Sequence, residues 1–277
     1  MRNPAENAQL ALLLEVTGTP KPGNVDRHRD YDSLRFEHFM AGAVGAARGF
    51  RLAMDNQRIG HAFERSIHGM SQQSGGNTQF GAILILIPLL SAATRDDLTQ
   101  SGCQQVVEET SVEDACAFYH AFEHVEVAVN EPPPELSDLD VRLGRDAIPT
   151  IRDRQLTLYQ IMKQSATHDG VAAEWINGFH RCFQAAEWLQ SGSGPIFRRT
   201  ARIFLRLLAD EEDTFIITRN GESIATEVTE RANDVLAGTE SAEAFADELV
   251  DRDINPGTTA DITAGGLFIA LEDGLPV

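Results

Sequence analysis

Chemistry concentrates first in residues 17–32, Thr-Gly-Thr-Pro-Lys-Pro-Gly-Asn-Val-Asp-Arg-His-Arg-Asp-Tyr-Asp. Pro20 and Pro22 fix φ and remove two backbone donors, while Gly18 and Gly23 admit turns that other residues resist. This segment is therefore predicted to be a shaped loop. Within it Asp26, Asp30 and Asp32 alternate with Arg27, His28 and Arg29. Hard oxygen ligands beside cations suit a divalent metal and a polyphosphate. A solvated, self-paired charge cluster is the plainer alternative.

Two further polar turns stand before apolar runs. In Ser71-Gln-Gln-Ser-Gly-Gly-Asn-Thr-Gln-Phe-Gly81 the glycines Gly75 and Gly76 break one helix, and Asn77 or Thr78 can cap the next, which opens with Ala82 to Leu90. Free N–H groups and the positive end of the dipole make such a start an anion site, or simply an ordinary cap. Near the C-terminus, Asn255-Pro-Gly-Thr-Thr-Ala-Asp261 leads into a helix with an apolar face and places Asp261 in its first turns. An acid there is also a common dipole partner. His120 and His124 sit one turn apart on a predicted helix, but the Glu of His-Glu-x-x-His is missing, which argues against ligation.

The elements that must position these residues are helices. Hydrophobic spacing predicts them over Pro4 to Val16, Phe36 to Met54, Ile59 to Met70, Ala82 to Leu90, Leu98 to Thr110 and Val112 to Val129. More follow over Thr157 to Ser165, Val171 to Gln190, Phe197 to Leu208, Ser223 to Leu236 and Ala242 to Val250. Small residues from Ala41 to Ala47 allow a neighbouring helix to approach closely. Glu131 to Asp146, with three consecutive prolines, reads as the longest surface connection. Alternating strand patterns are almost absent, so the expectation is an all-α fold: a single multi-helix, bundle-like domain over residues 1–277.

At 277 residues the chain can bury a substantial core. Its net charge is -19, and Lys21 and Lys163 are its only lysines. Nucleic-acid binding through a general basic surface is thereby excluded, because phosphate neutralisation needs clustered positive charge. A lysine-poor acidic surface is what a protein working at high internal salt tends to show, since screening removes self-repulsion. Cys103, Cys116 and Cys182 are too scattered for a disulfide framework or thiolate site. With no signal peptide visible and the longest apolar run half the length of a membrane span, the expectation is a soluble, cytoplasmic protein with no membrane partner. Homo-oligomerisation is left open.

No Gly-x-x-x-x-Gly-Lys-Ser/Thr loop and no Gly-x-Gly-x-x-Gly after a strand is present, and Gly-x-Ser-x-Gly is absent. His28-Arg29-Asp30 matches a kinase tripeptide only by accident, because Arg35 stands where that loop needs Asn.

Four separated segments together resemble the triphosphoribosyl-dephospho-CoA synthase family, which makes the prosthetic-group precursor of citrate lyase and malonate decarboxylase. They are Glu15-Val-Thr-Gly-Thr-Pro-Lys-Pro-Gly-Asn-Val-Asp-Arg-His28, Gly76-Asn-Thr-Gln-Phe-Gly-Ala-Ile83, His168-Asp-Gly-Val-Ala-Ala-Glu-Trp175, and Pro256-Gly-Thr-Thr-Ala-Asp-Ile-Thr-Ala264 with Leu267-Phe268. Asp213-Thr-Phe-Ile-Ile-Thr-Arg219 is similar to a further family segment. The resemblance implies an all-α enzyme that moves the 5-triphosphoribosyl group of ATP to the 2′-hydroxyl of a dephospho-CoA-like acceptor and releases adenine. It implies Mg²⁺ on Asp26, Asp30 and Asp32, which also stabilise charge at the sugar, and Asp169 or Asp261 as base. Lys21, Gly23, Arg27, His28, Asn77, Thr78, Gln79, Arg219, Thr258 and Thr259 are implied as substrate-binding. Where bacterial members read Asn-Thr-His-Lys-Gly, this chain has Asn77-Thr-Gln-Phe-Gly81. A helical metal-dependent phosphohydrolase built on His168-Asp169 with His120 and His124 is the competing enzyme reading, and a helical scaffold the non-catalytic one.

Overall fold

The structure, a computed structural model, describes residues 2–55, 58–129 and 134–277. These form helices α1 (Pro4–Thr17), α2 (Phe36–Met54), α3 (Ile59–Met70), α4 (Phe80–Thr94), α5 (Gln100–Glu108), α6 (Val112–Ala121), α7 (Ile148–Asp153) and α8 (Leu158–Ser165). They continue as α9 (Gly170–Ile176), α10 (His180–Ser191), α11 (Ile196–Asp210), α12 (Thr214–Asn220), α13 (Glu222–Ala237), α14 (Ala242–Asp251) and α15 (Gly257–Glu272). No strand occurs among the described residues, so the fold is all-α as expected.

Two helices without a polar face set the centre. Every residue of α4 from Ala82 to Ala92 and of α15 from Ile262 to Leu271 is buried. A helix apolar all round must be covered on every side, and α1, α4, α10 and α11 pack around α15. Gly265 and Gly266 let α10 come close, with Cys182 and Ala185 lying against them. Each Leu, Ile or Phe so buried contributes roughly 1.5–3 kcal/mol. A second apolar cluster joins Phe204 and Leu208 of α11 to Val228 of α13 and Phe245 of α14.

The small residues of α2 do what their size suggests. A Cβ at Gly45 would collide with the carbonyl of Gly69 on α3, and one at Gly69 with that of Gly45. The two backbones are in contact, which only glycine permits.

Several expected elements change. The helix predicted from Val112 ends at Ala121: Phe122 turns inward to lie 4.8 Å from the Phe80 ring, and Glu123 is taken by Arg145. His124 therefore lies beyond α6. The helix predicted over Val171 to Gln190 is two, because Gly178 and Phe179 both adopt positive φ and the Glu174 carboxylate receives the amides of Arg181 and Cys182 at 3.2 and 3.0 Å. Helices α7 and α12 were not anticipated. The predicted long connection contains the short 3-10 turns Pro134–Leu139 and Val141–Ala147; residues 131–133, where it begins, lie outside the described residues.

Candidate active site

Four of these helices begin at one cavity of about 350 Å³. Their starts are α4, α9, α12 and α15, and each is tied to an acid. Asp169 caps α9, accepting the Ala172 amide at 2.8 Å. Asp213 caps α12 through the amides of Phe215 and Ile216, and its other oxygen accepts the Thr259 amide and hydroxyl, each at 2.7 Å. Asp261 reaches from α15 to the start of α4, where the nearby Ala82 amide favours its charged form. The side chain lies so close to Gly81 that a Cβ there would strike its Oδ2.

The four motif segments therefore meet for stated reasons. Gly170 donates its amide to Thr214 Oγ1 at 3.0 Å, and that hydroxyl meets Thr258 Oγ1 at 2.9 Å. Asn24 of the first loop donates to Asn255 at 2.9 Å. Glu15, Asn24, Asn77, Asp169, Thr258 and Asp261 all face the cavity.

Electrostatically this end of the cavity is strained. Burial raises the pKa of Asp261 well above the ordinary carboxylate value, and the nearby Glu15 and Asp213 raise it further. Burial likewise raises Glu15, Asp169 and Asp213, against which Lys21, the α9 amides and Thr259 respectively act. Asp169 is exposed at the cavity, and the mass of protein around it raises its pKa. Among the described residues no Lys or Arg lines the cavity. These acids lack a cation of their own, except Glu15.

Glu15 is the functional residue that the sequence reading left unassigned. It is 4% exposed and accepts a hydrogen bond from Lys21 Nζ, itself fully buried; Lys21 Nζ also donates to Asn24 at 2.7 Å. Its position in the last turn of α1, as the first residue of the first motif, was the available signal.

The first loop is arranged otherwise than as a metal cradle. Asp26 is fully buried and spends its oxygens on the Lys21 amide at 3.1 Å, the His28 amide at 2.8 Å and Arg29 at 3.2 Å. Asp30 accepts the Phe36 amide at 2.6 Å and so caps α2, while Asp32 is exposed. Among the described residues no group of three His, Cys, Asp or Glu could by itself hold a metal ion. Gly23 packs against Ile254. Arg27 and His28 are exposed, with Arg27 over the Phe197 ring at 5.1 Å, and neither faces the cavity. Arg219 lies behind Phe215 and pairs with Asp253 at 3.6 Å.

At the start of α4, Asn77, Thr78 and Gln79 line the cavity; Asn77 caps through the Phe80 amide at 3.1 Å. The Thr78 hydroxyl and both amide atoms of Gln79 are buried without a partner among the described residues. Thr259 is committed to Asp213. His168 faces the cavity, whereas His124 lies with His68, ring centres 4.8 Å apart, and His120 near Glu123, away from it.

A family model described as ATP:dephospho-CoA triphosphoribosyl transferase matches residues 1–276. The chain is 26% identical over 303 residues to the 2-(5''-triphosphoribosyl)-3'-dephosphocoenzyme-A synthase of Escherichia fergusonii, an alignment covering 96% of this chain and 89% of that protein. It is also similar to a crystal structure from Archaeoglobus fulgidus, described as a candidate triphosphoribosyl-dephospho-CoA synthase, with TM-score 0.68 and 26% identity over 86% of this chain and 100% of that one.

Proposed function

Because this chain belongs to the ATP:dephospho-CoA triphosphoribosyl transferase family, we propose that the cavity at the starts of α4, α9, α12 and α15 is where the 5-triphosphoribosyl group of ATP passes to the 2′-hydroxyl of 3′-dephospho-CoA. The bond from the ribose anomeric carbon to adenine breaks, and its electron pair leaves with adenine, which takes up a proton. The acceptor oxygen bonds to the anomeric carbon and loses its proton. The observation that carries this reading is the meeting of Glu15, Asp169 and Asp261 in one cavity.

Positive charge develops on the sugar as adenine departs, and a carboxylate aimed at that point stabilises it most where water is excluded. Glu15, which Lys21 favours in its charged form, supplies that negative charge. Asp169, open to the cavity, is the base that takes the acceptor's proton, since a raised pKa brings a carboxylate nearer to the range useful for proton transfer. Lys21 acts through Glu15, its ammonium having no path to a phosphate. Asn77, Thr78, Gln79 and Thr258 bind the substrates.

Mg²⁺ fits this donor set. Such an ion is commonly held by one or two carboxylates plus substrate phosphates and water, rather than by an all-protein cage. Asp261 would hold it together with the substrate's phosphates, leaving Asp169 as the base, and it would neutralise the triphosphate in a cavity that no Lys or Arg lines among the described residues. Asp26, Asp30 and Asp32 do not fit, because Asp26 is committed to its loop and the other two face away from the cavity. The salt-adapted, cytoplasmic setting belongs to the same reading and rests on the net charge of -19 with two lysines.

The test is incubation with ATP, Mg²⁺ and dephospho-CoA. Free adenine and an acceptor gaining the mass of a triphosphoribosyl group are expected. Phosphate released without adenine would favour the phosphohydrolase reading and overturn this one.

A further inference from the structure

The cavity has a second limb with different chemistry. This apolar part of its lining comprises Phe118, Phe122, Leu139, Ile161 and Met162. The Tyr119 hydroxyl there donates to the Leu139 carbonyl at 2.5 Å and Asp140 is bound by Arg142, while Gln164 and Ser165 line the cavity on the same helix as Ile161 and Met162. Val127, Ala128 and Val129 line the same cavity, in no regular structure, exposed or partly so, and making no hydrogen bond among the described residues. An apolar trough thus lies beside a short strip of free backbone N–H and C=O groups. Backbone groups in that state seek partners.

Resting on the reading above, we propose that this limb seats the pantetheine arm of the acceptor. An occupant must bury apolar surface and offer amides to the strip. Adenine meets the first demand, but its polar groups are fixed on the edge of one rigid ring and cannot follow a strip that runs over three residues. The triphosphate meets neither. Pantetheine alternates methyl and methylene groups with two secondary amides, which can pair with an extended backbone as an added strand does.

The experiment compares Val129→Asp with the unaltered protein by calorimetry, using dephospho-CoA, ADP and ATP as separate ligands. ADP is dephospho-CoA without its pantetheine arm. A carboxylate at the limb should weaken dephospho-CoA about tenfold, since buried charge opposes apolar contact, and leave ADP and ATP within about twofold. Unchanged ATP affinity also reports an intact fold. A second variant, Val127→Pro, removes one backbone donor and should weaken dephospho-CoA alone. Equal weakening of all three ligands would mean that the limb holds a purine, and unchanged dephospho-CoA affinity would mean that it is not used; either result overturns the proposal. Adenine release by the unaltered protein is scored separately, so the transfer reading can fail while the binding result stands.

Discussion

At the scale of single residues, the account turns on acids that the fold holds at a cost. Glu15, Asp213 and Asp261 all have pKa values raised by burial. The folded chain therefore binds their protons more tightly than the unfolded chain does. The stability from this is complete below the ordinary values of 3.8 for Asp and 4.5 for Glu, and is lost as pH rises through the raised values. Asp261→Asn keeps an acceptor for the Ala82 amide but removes the charge facing Glu15 and Asp213. Its urea midpoint at pH 8 should exceed that of the unaltered protein by about 1 kcal/mol, and the gap should close toward pH 4; equal midpoints at pH 8 would contradict this. Residue types at the candidate site were legible in the sequence, and Asn77, Asp169 and Asp261, singled out there, line the cavity. Direction was not. Asp26, Asp30 and Asp32 look like one ligand set on paper, yet Asp26 turns inward to its own loop and Asp30 turns to α2. Glu15 escaped notice because its role depends on Lys21 folding back under it.

At the scale of elements, helix starts rather than helix faces build the site. Four N-termini with their positive ends converge, and carboxylates join them in pairs, the buried Asp213 bridging α12 to α15 and the partly buried Asp261 reaching from α15 to α4. That convergence needs close helix packing elsewhere, most strictly where α2 crosses α3. Gly45→Ala should destabilise the protein by about 1–3 kcal/mol in urea titration, as overpacking does, while the folded fraction keeps its ATP affinity because Gly45 is remote from the cavity lining. Long periodic helices were legible: the bounds of α2 and α3 match the predicted ones. Where tertiary contacts override local pattern, they were not. Phe122 leaves the helical path to join the aromatic cluster, and Gly178-Phe179 splits a run whose spacing alone reads as one helix. Helix α12 is short and capped by an acid that also serves α15, so little of it shows in periodicity.

At the scale of the whole molecule, a net charge of -19 and acids facing a cation-free cavity act in the same direction. Both are relieved by mobile cations. Screening shortens from about 10 Å at 0.1 M salt to about 3 Å at 1 M, so the thermal midpoint should rise between those KCl concentrations. A midpoint that is flat or falls would remove the case for salt adaptation. Exposed networks such as Arg231 and Arg252 with Glu227 and Glu248 work against that rise only weakly, because pairs at the surface contribute little. The all-α class was legible from the lack of alternation. The cavity was not, since it is assembled from segments up to 246 positions apart, Glu15 and Asp261 being the extremes. The most direct test of where the chemistry resides is adenine release from ATP and dephospho-CoA by two variants measured side by side. Asp261→Asn should lose about 10²–10⁴-fold in rate while remaining folded, and Asp32→Asn should stay within about twofold of the unaltered protein. Retained activity in Asp261→Asn with loss in Asp32→Asn would move the site to the first loop and contradict the account.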